Sequence, residues 1–191
     1  MNNYEYIIAS LPVPGQENPA AEAILDFIRS QLSGQDRELL DMLLDGFDGE
    51  KLDRDFYRRA LKCRNPFIRG FLGYDLRLRN TKAEYLNTAL ERPEGTDVIH
   101  MAEEGGEEAE FEQKPEVLAL LRQDDILARE RALDALIWDK ADELTRMHLF
   151  DLDVILAFTA KLKITDRWNK LDPETGRELF RSLVQEIRNS R

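Results

Sequence analysis

The sequence has few of the residues that build reactive centres or membrane spans. Among 191 residues there are one cysteine, Cys63, and two histidines, His100 and His148. A lone cysteine excludes an internal disulfide, and we expect a reducing, cytoplasmic compartment. Apolar runs such as 154–158 are far shorter than the ~20 residues of a membrane helix, so we expect no direct membrane insertion. The start, MNNYEYIIASLP, has no basic region followed by a long apolar stretch, so no signal peptide is expected.

Basic residues are also in deficit. The chain has 27 Lys and Arg against 38 Asp and Glu, a net charge of −11, which argues against general nucleic-acid binding. Residues 93–116 contain nine acids and one base, Lys114, so this segment carries −8 and the remainder only −3. Such a segment is typically a solvated linker. The alternative is a docking segment for a basic surface, with Phe111 as its anchor.

Strand patterns are nearly missing, and helical periodicity dominates. Only residues 4–11 could form either a short strand or a first helical turn. We predict an all-α protein with an N-terminal helical block (1–92), an acidic flexible loop (93–114) and a C-terminal helical block (115–191). The predicted helices cover about residues 18–34, 35–45, 52–61, 66–91, 152–168 and 173–188, with two more between 115 and 147.

Residues 74–92, YDLRLRNTKAEYLNTALER, place charges where a core is expected. Leucines and alanines cover one half of the helical wheel, yet Asp75, Arg79 and Lys82 project from the middle of that half. The spacing of four predicts an ion pair between Asp75 and Arg79. The opposite half, predicted to face solvent, contains Arg77, Asn80, Thr81, Glu84 and Thr88.

Three interpretations of these charges remain open at this point. Buried charges are tolerated when they pair with one another and with neighbouring helices, so they could clamp two helices together. The additional acid would then come from Asp151, Asp153 or Asp166. Alternatively, the bases face a groove and receive an acidic partner or the acidic segment 103–112. Finally, long side chains could cover apolar surface while their charged ends reach water.

A second helix repeats part of this pattern. Residues 74–81 and 158–165 both read aromatic-x-x-basic-Leu-basic-x-Thr, which makes Lys161 and Lys163 the counterparts of Arg77 and Arg79. The match indicates either an internal repeat or a chance similarity between amphipathic helices.

Several segments resemble an uncharacterised bacterial family whose members tend to be encoded beside V/A-type ATP synthase subunits. The resemblance lies in YEYIIASLP, DRELLDMLLDGFD, YDLRLRNTKAEYLNTALERPEGTDVI and DPETGRELFRSLVQEIR. More distantly, the chain resembles the C-type subunit (called d in eukaryotes) of the rotary V/A-ATPase, an all-helical, funnel-shaped protein that is not an enzyme. The resemblance implies partners in the central stalk and the membrane rotor ring, and a cytoplasmic position, peripheral on the inner membrane through the ATPase complex.

The resemblance also implies site residues. Repeats of the C-type subunit carry an aromatic residue, acidic and basic residues, and an Asn ahead of a basic position on a buried helix. The first block matches this pattern, whereas in the second block Ile164 stands where the Asn is expected. The candidate structural and partner-binding residues are therefore Asp75, Arg77, Arg79, Asn80, Lys82, Lys161 and Lys163.

The sequence contains no set of convergent reactive groups. The stretch HMAEE around His100 lacks the second histidine of a metalloprotease helix, and no Glu-x-x-His pair is present. We therefore expect no catalytic residues, cofactor or metal. The resemblance implies a non-catalytic subunit or assembly factor of a V/A-type ATP synthase that acts at the interface of the central stalk and rotor. The alternatives are a free helical adaptor unrelated to the ATPase, and a small metal-binding helical enzyme that uses His100 and the glutamate cluster of the acidic loop.

Overall fold

All regular secondary structure in the described part of the chain is helical. A computed structural model describes residues 4–13, 21–101 and 110–171, and within them there is no strand. The α-helices are α1 (Glu5–Ser10), α2 (Ala21–Gln31), α3 (Gly34–Asp45), α4 (Arg54–Leu61), α5 (Pro66–Ala89), α6 (Lys114–Leu121), α7 (Ile126–Thr145) and α8 (Leu152–Asn169). The all-α prediction is confirmed, and the ambiguous N-terminal stretch forms α1. The helix predicted over 173–188 lies outside the described residues.

Local capping fixes where several helices begin. Asp53, Asn65 and Asp125 each accept a hydrogen bond from the backbone N–H three residues later, with N···O distances of 2.6, 2.8 and 3.0 Å. Such caps satisfy a donor that has no partner within the helix. Pro66 follows Asn65 at the first position of α5, where its missing N–H costs nothing. The predicted start of α5 therefore agrees with the structure.

One large apolar core joins elements from both predicted blocks. Helices α5 and α8 lie at its centre and contribute most of the buried side chains. Fully buried members include Ile28, Leu40, Tyr57, Ile68 and Leu156. Burial of each such side chain contributes roughly 1.5–3 kcal/mol to the stability of the fold. None of the described helices combines the length and apolar content needed to cross a bilayer.

A smaller core packs against α5 around Tyr74. Here Tyr74 and Leu78 pack with Phe111, Val117 and Leu121. The prediction of a solvated half is wrong only in part, since Thr88 is exposed there. The physical reason is that α6 and α7 also pack against α5, so that more of its surface is covered than by the large core alone. On this half Thr81 is buried, and Arg77 and Asn80 are half-buried.

The described flanks of the acidic segment are held against α5. The side-chain amide of Asn80 donates to the Ile99 carbonyl at 2.9 Å and accepts from the Ile99 N–H at 3.0 Å. Asn87 donates to the Thr96 carbonyl at 2.7 Å. Beyond the segment, Phe111 is buried in the smaller core. Residues 102–109 lie outside the described part, and the flexibility of 93–114 and the division into blocks stay predictions.

Candidate functional site: a charged cleft beside α5

Helices α5, α7 and the end of α8 border a cleft of about 410 Å³. Its lining includes four bases and four acids, and each base forms an ion pair with one of the acids. The pairs are Arg79–Asp75, Lys82–Glu130, Arg92–Asp97 and Arg167–Asp134. A second cavity of about 50 Å³ shares Asp75, Arg79, Asp134 and Arg167 with the cleft and is also lined by Lys163.

The first arginine of the cleft is held by a buried carboxylate. Asp75 is only 7% exposed, and its Oδ2 accepts hydrogen bonds from Arg79 Nε at 2.7 Å and from the Tyr57 hydroxyl at 2.8 Å. The ion pair predicted from the spacing of four is present. Burial, reinforced by the Asp75 charge, raises the pKa of Tyr57, so its hydroxyl stays a neutral donor. Burial alone would lower the pKa of Arg79, but the Asp75 carboxylate outweighs burial and raises it.

A second arginine is held in the same way on the other side of the cleft. Asp134 of α7 is buried, and its Oδ2 accepts hydrogen bonds from Arg167 and from Trp168 Nε1, the latter at 2.7 Å. Sequence reasoning missed both Asp134 and Arg167. One pattern could have found Asp134: like Asp75, it is an acid inside the apolar stripe of a helix.

The third pair joins α5 to α7. Lys82 Nζ lies 3.2 Å from Glu130 Oε2 and 3.4 Å from Oε1. The prediction that Asp151, Asp153 or Asp166 supplies this acid is wrong. Asp153 and Arg167 are separated by about 20 Å along α8, at a rise of ~1.5 Å per residue. Asp153 therefore lies far from the cleft.

Each of the three predicted acids has another partner. Asp151 accepts from His148 Nδ1, and Asp166 lies 2.9 Å from Lys170 Nζ. Asp153 accepts from Asn65 Nδ2 at 2.6 Å, a contact that joins the beginning of α8 to that of α5.

Arg77 and Lys161, which correspond in the repeated pattern, both lie against aromatic rings and away from the cleft. The Arg77 guanidinium is 5.7 Å from the centre of the Phe111 ring, and Lys161 Nζ is 4.9 Å from the centre of the Trp138 ring. Lys161 also pairs with Asp142. Cation–π contacts of this kind contribute roughly 0.5–2 kcal/mol. Both residues therefore have a structural explanation within the described chain.

The predicted site residues thus fall into three groups. Asp75, Arg79, Asn80 and Lys82 line the cleft, Lys163 lines the adjoining cavity, and Arg77 and Lys161 lie elsewhere. Their role in binding a partner stays a prediction. Within residues 4–13, 21–101 and 110–171, no three His, Cys, Asp or Glu side chains are grouped to hold a metal ion. The metal-binding alternative uses His100 and the glutamate cluster of the acidic loop, and residues 102–109 of that loop lie outside these ranges.

The turn between α7 and α8 exposes large apolar side chains. Met147 is 90% and Leu149 72% exposed, and Phe150 is exposed beside them. The Phe150 carbonyl accepts from the Tyr4 backbone N–H at 2.9 Å, which brings in α1 with its exposed Tyr6. We call Tyr6, Met147, Leu149 and Phe150 the apolar tip. Contiguous exposed apolar groups mark interaction surfaces, and Met147, Leu149 and Phe150 are neighbours within one turn.

Asp153 provides a prediction on pH. Its burial raises the pKa of the carboxyl group, and the charge of Asp151 adds to this, while Asn65 and His148 act in the opposite direction. Between the unfolded pKa of about 3.9 and the raised folded pKa, the native state binds more protons than the unfolded state. The Asp153 contribution to the free energy of unfolding should therefore rise as pH falls through the folded pKa.

Urea denaturation between neutral pH and the acid range tests this. Asp153→Asn should remove this contribution. The free energy of unfolding of wild type, relative to that of the variant, should therefore increase as the pH is lowered. Thr88→Ala, at an exposed position with no titratable group, serves as the control and should give a constant difference. A pH-independent difference for Asp153→Asn would contradict the prediction.

Comparison with known proteins identifies a family. The model of DUF2764, described as a protein of unknown function, matches residues 49–190, which is 142 of 191 residues. No curated protein and no solved structure matches the chain. The match covers the helices that border the cleft and the turn of the apolar tip, and it carries no link to the rotary ATPase. The chain therefore belongs to the DUF2764 family.

Proposed function

We propose that the protein is a non-catalytic helical subunit or assembly factor of a V/A-type ATP synthase, and that it acts at the interface of the central stalk and rotor. The apolar tip carries the proposal that the protein binds a partner. The resemblance of its sequence to a family encoded beside ATP synthase subunits supports the identity of that partner.

The apolar tip has the properties of a protein-binding surface. Its backbone is tied to α1 through the Tyr4–Phe150 hydrogen bond, and the His148–Asp151 contact holds the turn. A loop that is ordered before binding loses less conformational entropy when a partner docks. Burying a side chain such as Met147 or Leu149 contributes roughly 1.5–3 kcal/mol. The tip is therefore suited to a stable contact.

The ion pairs between helices support a mechanical role. Arg79–Asp75 braces α5 against α4 through Tyr57, Lys82–Glu130 joins α5 to α7, and Arg167–Asp134 joins α8 to α7. Paired charges at fixed positions specify the register of neighbouring helices. A part that transmits position between a stalk and a ring needs such rigid packing.

Co-purification with ATP synthase subunits tests the proposal. We expect the tagged full-length protein to recover central stalk subunits from cells that express the V/A-type ATP synthase. The double variant Met147→Ser, Leu149→Ser should lower this recovery by about tenfold or more. The apolar area that it no longer buries against the partner corresponds to more than about 1.4 kcal/mol of binding free energy.

A matched control is available at the other end of α7. Ile126 and Leu127 are similarly exposed, and Ile126→Ser with Leu127→Ser should leave the recovery unchanged. If wild-type protein recovers no stalk or rotor component, the proposal is wrong and the free helical adaptor becomes the better explanation.

A further inference from the structure

We propose that the charged cleft binds an acidic segment of a partner protein, whose carboxylates are held by Arg79 and Arg167 with Lys163 beside them. This inference deepens the proposed function, since it names the chemistry of a partner. It rests on the proposed function only in that the protein binds other proteins, and it does not require that the partner belong to an ATP synthase.

The two arginines keep most of their hydrogen-bond donors for a ligand. Arg79 uses Nε for its bond to Asp75, and Arg167 uses one terminal nitrogen for its bond to Asp134. A guanidinium group has five N–H donors arranged as a fork. Both side chains are about half exposed, so the remaining donors reach the cleft. Each arginine can therefore form a bidentate contact with a carboxylate.

Both arginines are also held in place before a ligand arrives. Their anchoring carboxylates, Asp75 and Asp134, are buried. Asp75 accepts a second hydrogen bond from the Tyr57 hydroxyl, and Asp134 accepts one from the Trp168 indole. An arginine fixed in this way loses less rotamer freedom on binding. The same construction of aromatic donor, buried aspartate and rim arginine occurs on both sides of the cleft, which favours a function beyond a single structural ion pair.

Lys163 adds a cation that has no acidic partner among the described residues. It is half-buried and lines the cavity of about 50 Å³ together with the two arginines, and no hydrogen bond or ion pair joins it to another residue of the described chain. A charge removed from water without a partner is unfavourable. An incoming carboxylate would provide the missing counter-charge.

The charge balance favours carboxylates over phosphate groups. The cavity is lined by three bases and two acids, a surplus of one positive charge in a chain of net charge −11. A carboxylate carries one negative charge, whereas a phosphate monoester carries about −1.5 to −2. The remaining cleft bases, Lys82 and Arg92, are already paired with Glu130 and Asp97, which repel additional negative charge.

Fluorescence anisotropy with a labelled hexaglutamate peptide tests the inference on the full chain. We expect saturable binding that weakens at high salt. Arg79→Gln and Arg167→Gln should each weaken it by about tenfold, the effect of losing one charged hydrogen-bonded contact. Arg122→Gln, at an exposed position outside the cleft, is the matched control and should leave the affinity unchanged.

Lys163→Gln separates binding from stability, because it removes no ion pair of the described chain. We expect a several-fold loss of peptide affinity without any fall in the melting temperature, because the charge that is removed has no partner in the described chain. Three results would each overturn the inference: no saturable binding up to about 1 mM peptide, equal binding by the cleft variants and wild type, or preferential binding of inorganic pyrophosphate. The last would assign the cleft to a small phosphorylated ligand. Loss of stalk co-purification alone would leave the peptide result intact, so the two proposals can fail separately.

Discussion

Asp75→Asn is expected to lower the free energy of unfolding by about 2–4 kcal/mol, because Tyr57 and Arg79 both donate to the buried carboxylate that is lost. Breaking a fully buried pair costs about 3–5 kcal/mol, and the value is lower here because Arg79 is about half exposed. For a domain of this size the melting temperature should fall by roughly 5–15 °C. Urea and thermal denaturation measure both quantities.

Exchanging the two charges should restore part of this loss. In the double variant Asp75→Arg, Arg79→Asp the ion pair can re-form, but Tyr57 then faces a cation where it had an acceptor, so recovery stays incomplete. Asp55→Asn, which breaks an exposed pair with Arg58, is the control and should change stability by less than about 0.5 kcal/mol. An unchanged melting temperature for Asp75→Asn would show that the ion pair is not structural.

Phe111→Ala is expected to lower the free energy of unfolding by about 2–4 kcal/mol. Phe111 is 7% exposed, and its ring packs edge-on against Tyr74 with 5.4 Å between the ring centres. The Arg77 guanidinium lies on the same ring. The variant therefore loses apolar burial, an aromatic pair and a cation–π contact together.

Two measurements report on this change. Urea denaturation gives the stability, and an NMR titration of the Tyr74 ring follows its pKa, which burial and the nearby charge of Glu116 raise to about 12. Without Phe111 that pKa should move toward its usual value near about 10. Phe27→Ala, at a position that is 37% exposed, is the control with an expected loss below about 1 kcal/mol. Equal losses in both variants would show that Phe111 anchors nothing.

Local chemistry made most of the helices predictable. Asn65 caps α5 and Pro66 occupies its first turn, so neighbouring residues alone specify where this helix begins. The helix predicted from 35 to 45 agrees with α3, which begins at Gly34 and ends at Asp45. The Asp75–Arg79 pair was predictable for the same reason, since both residues lie one turn apart on a single helix.

Contacts between distant segments were not predictable in this way. A helical wheel assumes one buried face, yet α5 is covered by α6 and α7 as well as by the large core, so Thr81 is buried on the half assigned to solvent. The partners of Lys82 and Arg167 are 48 and 33 residues away along the chain. Only the packing of three helices brings these charges together.

A double-mutant cycle on Asp75 and Arg79 tests the central claim most directly: buried carboxylates fix the charges that α5 presents to the cleft. Unfolding free energies are measured for wild type, Asp75→Asn, Arg79→Gln and the double variant. We predict a favourable coupling energy of about 1–2 kcal/mol. Effects that add to within about 0.3 kcal/mol would contradict the account, because the two side chains would then be energetically independent.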